Sequence, residues 1–397
     1  MHRALVACLL LLPAIAGAAE PQLFLFDAAR LTAAKQRLAE GDAALKPALE
    51  QLLKDAEEAL RAGPFSVMDK ADPPPSGDKH DYHSIGPYWW PDPITADGLP
   101  YIRRDGEVNP EYYSEKFDRE RLRNLCDASE TLALAWWFTG EPRYAEHAAH
   151  LLRTWFLAEA TRMNPNLNYG QAIRGRTAGR GIGIIDTVSL TKIPEAAGLL
   201  ESSDAWKAED HTALKAWFRD YLAWLRTSKL GLEEARQHNN HGTWYDVQVA
   251  QFALFVGEEE FARGVLEAVP AKRIDTQITS DGRQPHELAR TRSFTYSTMN
   301  LRGMFALARL GERFDLDLWR YRSKDGGGLR PAIDFLAPYA DPEKPWPHEQ
   351  ITPAPEDALF ALLRQSALAY EEPKYEVLVN KMPKEMISTD RAQLLWP

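Results

Sequence analysis

The chain has 397 residues, of which 57 are acidic and 47 are basic, so its formal net charge is −10. This balance argues against nucleic acid as a partner, because nucleic-acid binding depends on basic surface. It also opposes a polyanionic substrate at long range, although a basic cleft can override net charge locally.

Residues 1–19 read as a secretory signal peptide. Arg3 supplies the positive start, "ALVACLLLLPAIAG" the apolar stretch, and an A-x-A sequence the cleavage site. The apolar stretch is too short to span a bilayer. We therefore expect a periplasmic or secreted protein without membrane insertion, whose residues 20–397 form a single domain. Because Cys8 leaves with the signal, Cys126 has no intramolecular partner and is expected to be a buried thiol.

Helical periodicity dominates the rest of the chain. Two amphipathic helices broken near Gly41 come first, and two later pairs are each joined by a Gly-Glu turn, at Gly140 and Gly257. A weaker copy of that turn occurs in "ARLGERFD". Further helices are predicted at 183–201, 209–228, 286–309, 330–338 and 356–370. Recurrent helix pairs of this kind indicate stacked αα-hairpins, as in an open solenoid or a closed α/α toroid.

Two long polar and aromatic loops separate the helices, at 64–116 and 160–182. Loops of this length in a compact helical domain are usually functional or disordered. The first contains seven tyrosine and tryptophan residues between positions 82 and 113, which is the opposite of a disordered composition. We expect it to be ordered and to line a cleft.

Most of the unusual residues fall in four parts of the chain. These are 76–93 with its continuation 97–113, then 163–187, 238–245 ("HNNHGTWY") and 281–301. They combine aromatic side chains with histidine and arginine. Aromatic faces stack on sugar rings and arginine grips carboxylates bidentately, so the combination favours an acidic sugar as ligand.

These segments resemble the alginate-lyase superfamily of polysaccharide lyases over roughly residues 65–345. "DYHSIGPYWWPDP" with "GLPYIRRDGEVNP" is the longest match, and "NNH" and "ELARTRSFTY" resemble the catalytic elements of the family. The resemblance implies an all-α fold, an incomplete α/α toroid of paired antiparallel helices with long cleft-lining loops. It also implies cleavage of 4-linked uronate polymers, alginate or glucuronan, by β-elimination.

Carried over to this chain, the catalytic residues are Asn240, His241, Tyr296 and Arg290, with Arg292 as a rival for the arginine. In the family, Asn and Arg neutralise the uronate carboxylate, while His and Tyr handle protons. The β-elimination reaction itself requires groups of these types. Removal of the C5 proton creates a dianionic enolate, which preorganised hydrogen-bond donors must stabilise. In β-mannuronate or β-glucuronate the C5 proton and O4 lie on the same side of the ring. One tyrosine then serves as base and acid, provided that a nearby Arg or His lowers its pKa.

Gln171 and Tyr169 are implied as subsite residues, and further substrate contacts are expected from the four segments. These are Lys79, Tyr82, His83, Trp89, Trp90, Arg174, Asn239 and Trp244. A locally positive cleft is expected from Lys79, Arg103, Arg174, Arg176, Arg180, Arg290 and Arg292. No cofactor and no metal is predicted, since the two His-x-x-His spacings are not supported by an HExxH motif or a cysteine pair.

Two other functions stay open at this stage. A glycoside hydrolase on the same scaffold would use two carboxylates, and Asp81, Asp92, Asp186 and Glu287 are available, although no pair stands out by spacing. A non-catalytic periplasmic glycan-binding protein would need only the aromatic loops, and would not need His241 beside Asn240. The sequence decides neither the polymer nor the oligomeric state.

Overall fold

The computed structural model describes residues 20–397, and the predicted signal peptide lies outside the described residues. Within that range the α-helices are α1 Ala28–Ala39, α2 Lys46–Ala59, α3 Arg119–Thr139, α4 Pro142–Leu152, α5 Lys192–Leu200, α6 Ala208–Thr227, α7 Lys229–Ala235, α8 Asn240–Val256, α9 Glu259–Val269, α10 Asp275–Gln277, α11 Pro285–Leu288, α12 Ser293–Gly311, α13 Leu329–Leu336, α14 Phe360–Tyr370, α15 Pro373–Val379, α16 Lys384–Thr389 and α17 Ala392–Leu395.

The helices form an α/α toroid of paired antiparallel helices, as predicted. Gly140 ends α3 with φ 70° and Gly257 ends α8 with φ 87°. This left-handed conformation favours glycine at a helix C-terminus and lets the chain reverse into the next helix. The weaker copy at Gly311 does not make this turn. Gly311 has a helical φ of −64°, and the chain continues into a 3₁₀ turn. α8 packs against α6, α9 and α12, which makes it a central element of the helical layer.

A continuous apolar core joins the helices from the first to the last. Trp155, Phe218 and Phe252 are among its largest fully buried side chains. Cys126 is buried and free, as expected. None of the helices described is long and apolar enough to cross a membrane.

The two long loops are ordered and joined to each other through short strands. β1 (His83–Ile85) pairs in parallel with β4 (Tyr169–Ala172), and β2 (Trp89–Trp90) pairs in antiparallel with β3 (Ile102–Arg103). The second pair forms a hairpin. At its base, the backbone N–H of Asn109 donates to the Pro87 carbonyl at 2.7 Å. We call residues 87–109 the hairpin loop.

Two predicted helices differ from the structure. The segment 183–201 begins as a 3₁₀ helix, Gly181–Thr191, and becomes α-helical only at α5. The segment 286–309 is broken between α11 and α12, because backbone groups of Thr291 and Ser293 hydrogen-bond to Ile351 and Glu349 instead of continuing a helix. This break positions the side chains of residues 290–292 outside any helix.

Candidate active site

The start of α8 carries the two central polar residues, as the sequence predicts. Asn239 is the N-cap, and its side chain accepts the His241 backbone N–H at 3.2 Å. Asn240 and His241 are the first two residues of the helix. An N-cap of this type satisfies one of the free N–H groups of the first turn. Asn239 therefore shapes the site through the backbone.

Asn240 is held by a buried carboxylate. Its backbone N–H donates to Glu287 Oε1 at 2.6 Å, and its side-chain Nδ2 donates to Glu287 Oε2 at 2.9 Å. Burial raises the pKa of Glu287, although the two hydrogen bonds from Asn240 and the charges of His241 and Arg290 oppose the rise. The amide has a second N–H, which is the donor available to a ligand.

His241 is held by a second buried carboxylate. Its Nδ1 lies 2.8 Å from Glu234 Oε1, and Glu234 is only 1% exposed. Because a carboxylate accepts hydrogen bonds, Nδ1 carries the proton, and Nε2 is the nitrogen available to a ligand.

Tyr296 lies in the first turn of α12 and is contacted by Arg290. The Arg290 Nη2 donates to the Tyr296 hydroxyl at 3.2 Å, and the guanidinium lies 4.3 Å from the ring centroid. Of the two rival arginines, Arg290 is therefore the one in contact with Tyr296. The Nε of Arg292 is buried without a hydrogen-bond partner among residues 20–397.

The hairpin loop covers this tyrosine. The hydroxyl of Tyr88 hydrogen-bonds to that of Tyr296. Asp105 forms an ion pair with Arg290 at 3.0 Å and also accepts from Thr291 at 3.3 Å. Burial alone would raise the pKa of Asp105, but the hydrogen bonds and charge of Arg290 hold it below its usual value. The loop therefore occupies the groups that an acidic sugar would contact.

The pKa of Tyr296 is raised well above its ordinary value. Burial is the main cause and Tyr88 adds to it, while the positive charge of Arg290 lowers the pKa without compensating. The arginine lowers the pKa of Tyr296, as expected, but burial outweighs its charge while the hairpin loop is in contact with the tyrosine. Tyr296 is accordingly protonated in this arrangement.

Gln171 belongs to a third group of residues, formed by β4 and the start of the 3₁₀ helix Gly181–Thr191. It has a left-handed φ of 49°, donates to Asp186 at 2.8 Å, and accepts from Arg180 at 2.7 Å. Burial lowers the pKa of Arg180 to about 10, so its guanidinium is protonated at neutral pH, and Glu234 partly offsets the decrease.

The other predicted binding residues are dispersed. Tyr82 is fully buried and donates to Asp186 at 3.1 Å, so direct substrate contact is not available to it, and its role is to support the Gln171 group. His83 is also buried, with Nδ1 bonded to the Asp72 carbonyl at 2.8 Å. Lys79 is exposed and donates to the Met68 carbonyl at 3.2 Å. These residues lie at or behind the β1–β4 pair.

The aromatic and arginine residues near the hairpin loop are largely engaged with one another. Arg176 and Arg180 lie 5.4 and 5.9 Å from the Trp89 ring, and Arg104 lies 5.1 Å from the Trp90 ring. Two further arginines are paired with carboxylates: Arg174 with Asp72 and Glu111, and Arg103 with Asp105. Tyr169 is the first residue of β4 and lies opposite His83. The positive charge predicted for the cleft is thus partly compensated.

Trp244 connects the two helices of the site. It is half-buried one turn after His241, and its indole N–H donates to the Met299 carbonyl of α12 at 3.1 Å. Glu287 joins the two groups, because its carboxylate accepts from Asn240 and its backbone carbonyl accepts the Arg290 N–H at 3.1 Å. The α8 residues and the Tyr296 group therefore form one cluster.

Four residues of this cluster were not assigned these positions from the sequence: Tyr88, Asp105, Glu234 and Glu287. Tyr88 and Asp105 fall in the matched motifs "GPYWWPDP" and "RRDG", so the motifs contained a signal for them. Glu234 lies in a different helix from His241, and no sequence spacing indicates that the two side chains meet. No group of three or more His, Cys, Asp or Glu side chains within residues 20–397 is arranged to hold a metal ion.

Comparisons with known proteins identify the family of the chain. A family model for alginate lyases matches residues 66–346. No match was found among curated protein sequences.

Solved structures also resemble this chain. The crystal structure of an alginate lyase from Bacteroides ovatus is 38% identical, covers 95% of this chain and 99% of its own, and superposes with a TM-score of 0.90. Alginate lyase A1-III from Sphingomonas species A1 is 18% identical over 94% of this chain and 95% of its own, with a TM-score of 0.59. This second similarity shows the fold alone. From the family match and the Bacteroides structure, the chain belongs to the alginate lyase family and is a polysaccharide lyase.

Proposed function

We propose that this enzyme cleaves a 4-linked uronate polymer by β-elimination, with alginate (polymannuronate) as the first candidate and glucuronan as the second. The observation that carries the proposal is the cluster in which Asn240 and His241 are fixed near Arg290 and Tyr296. The alginate lyase of Bacteroides ovatus supports the choice of polymer. If residues 1–19 act as a secretory signal, the reaction takes place in the periplasm or outside the cell.

The carboxylate of the +1 uronate is neutralised at the start of α8. The donors are the second amide N–H of Asn240 and the Nε2–H that His241 carries as an imidazolium, and the positive end of the helix dipole adds to them. Fixed donors of this kind stabilise the enolate that forms when the C5 proton leaves.

Tyr296 moves the protons. With substrate bound, the sugar replaces Tyr88 at the Tyr296 hydroxyl. The phenol proton leaves to solvent, and Arg290 stabilises the resulting phenolate. The phenolate takes the C5 proton, and the resulting phenol protonates the departing O4. Both atoms lie on the same face of a mannuronate or glucuronate ring, so a single residue serves both steps.

Hydrolysis by two carboxylates has less support. Glu287 is bound to Asn240, and Asp186 accepts from Tyr82, Ser84 and Gln171. Asp81 accepts from Ser76, Asn164 and Asn166 in the same way. These carboxylates are hydrogen-bonded to other side chains, which makes them less available as a hydrolytic pair.

The test is product analysis on polymannuronate, polyguluronate, glucuronan and polygalacturonate. We expect an unsaturated, ultraviolet-absorbing end on polymannuronate or glucuronan. A saturated new end would establish hydrolysis, and binding without any new end would establish a glycan-binding protein. Comparing the rates on polymannuronate and glucuronan decides the substrate, since the two sugars differ only at C2.

A further inference from the structure

Three glutamates of the described residues are only 1% exposed, namely Glu195, Glu234 and Glu287, and the contacts of one of them are incomplete. Glu195 accepts the backbone N–H groups of Phe24, Leu25 and Phe26 and the amide of Gln251, so both of its oxygens have donors. Both oxygens of Glu287 accept from Asn240.

Glu234 differs from both. Its Oε1 contacts His241, but its Oε2 is buried without a hydrogen-bond partner among the described residues. Burying an unpaired carboxylate oxygen costs free energy. The unpaired oxygen therefore distinguishes Glu234 from Glu195 and Glu287, whose oxygens all accept hydrogen bonds.

We propose that Glu234 is a positioning residue for the elimination. It holds the proton of His241 on Nδ1, so that Nε2 faces the bound sugar, and its negative charge stabilises the imidazolium that donates from Nε2 to the uronate carboxylate. The choice of a uronate as ligand rests on the proposed function, whereas the position of the proton on His241 does not.

The backbone around this pair is fixed independently of Glu234. Glu234 lies in the last turn of α7, and the short connection to α8 is held by the buried side chain of Arg273. That guanidinium donates to the carbonyls of Ala235 at 2.9 Å and Gln237 at 2.5 Å, and pairs with Asp246 at 2.7 Å. Replacing Glu234 should therefore leave the connection in place and affect the imidazole itself.

The test uses Glu234→Gln, which keeps the size of the side chain and removes the charge. The control is Glu201→Gln, because Glu201 also lies beside a histidine, with His211 Nε2 at 3.0 Å, but is more exposed than Glu234 and has no place in the proposed site. We expect Glu234→Gln to lower kcat on polymannuronate about 10- to 100-fold, as for partners that orient active-site ligands, with KM changed less than about threefold. Glu201→Gln should leave kcat unchanged.

The second readout is the ¹⁵N NMR spectrum of the His241 ring. In the wild-type protein we expect Nδ1 to be protonated, and in Glu234→Gln we expect the Nδ1 resonance to move. A wild-type ring protonated only on Nε2 would overturn the proposal without any variant. Full kcat in Glu234→Gln, or a reduced kcat with unchanged His241 resonances, would also overturn it. If the wild-type enzyme cleaves no polyuronate, the proposed function fails, while the ring spectrum still decides whether Glu234 controls the proton.

Discussion

The two halves of the site are supported in different ways. At the start of α8, Asn240 and His241 are held by Glu287 and Glu234, which are buried and belong to the helical core. At the start of α12, Tyr296 and Arg290 are held by Tyr88 and Asp105, which belong to the hairpin loop.

Asn240 and His241 are therefore fixed in advance by the core, whereas the loop contacts of Tyr296 and Arg290 can be exchanged for contacts to a substrate. Donors that neutralise charge are most effective when they are fixed before the reaction begins, and the core supplies that rigidity at α8. In the proposed mechanism, the substrate displaces the contacts of the hairpin loop to Tyr296 and Arg290. We therefore expect changes on the α8 side to act on turnover, and changes on the loop side to act first on access.

The largest effect is expected from Tyr296→Phe. The change removes only the ionisable oxygen and should cost on the order of 10²–10⁴ in kcat, because the same group takes and returns the proton. Tyr321→Phe is a matched control, since its hydroxyl bonds to Asp275 away from the proposed site. Initial rates of unsaturated-product formation give the comparison. Near wild-type elimination by Tyr296→Phe would require another base, with His241 the first to examine.

Asn240→Ala should reduce kcat by roughly 10²–10³-fold, as for the loss of a preorganised donor to a developing anion. It also removes one of the two donors to Glu287, so the free energy of unfolding should fall by about 1–3 kcal/mol. Kinetics and chemical denaturation measure the two effects separately. A variant that loses stability but keeps kcat would make Asn240 structural.

Gly242→Ala tests the geometry of the turn into α8. A Cβ at this position would meet the Gln237 carbonyl and the Arg273 guanidinium, so the connection must shift. Overpacking of this kind costs about 1–3 kcal/mol, and kcat should fall with it because Asn240 and His241 move. Gly264→Ala in α9 is the control, since no atom lies within 4 Å of its Cβ. An active and stable Gly242→Ala would show that the site tolerates displacement.

The smallest effect is expected from Asp105→Asn on the loop side. Asp105 competes with a substrate carboxylate for Arg290, so removing its charge should lower KM by about two- to fivefold, the equivalent of a partly exposed ion pair of up to about 1 kcal/mol. Asp97→Asn, at the exposed tip of the same loop, should have no effect. A fall in kcat without a change in KM would instead place Asp105 in the chemistry.

The sequence predicts the main polar residues of this site better than the contacts that hold them in place. Local signals were sufficient for the start of α8, because Asn residues before an apolar helical run favour a cap, and for the Gly-Glu turns at Gly140 and Gly257. The break between α11 and α12 was missed because it depends on hydrogen bonds to residues 349–351, which are distant in the chain. The pairing of His241 with Glu234 was missed for a similar reason, since it depends on how two helices meet.

The measurement that tests the central claim most directly uses polymannuronate labelled with deuterium at C5. Mass spectrometry of the new chain ends shows whether the C5 label is lost. The account predicts that the wild-type enzyme releases the deuterium from every newly formed non-reducing end, with a slower rate on the labelled polymer if proton removal limits turnover. New ends that retain the deuterium would mean that the C5–H bond is never broken, and would contradict β-elimination by the Asn240, His241 and Tyr296 cluster.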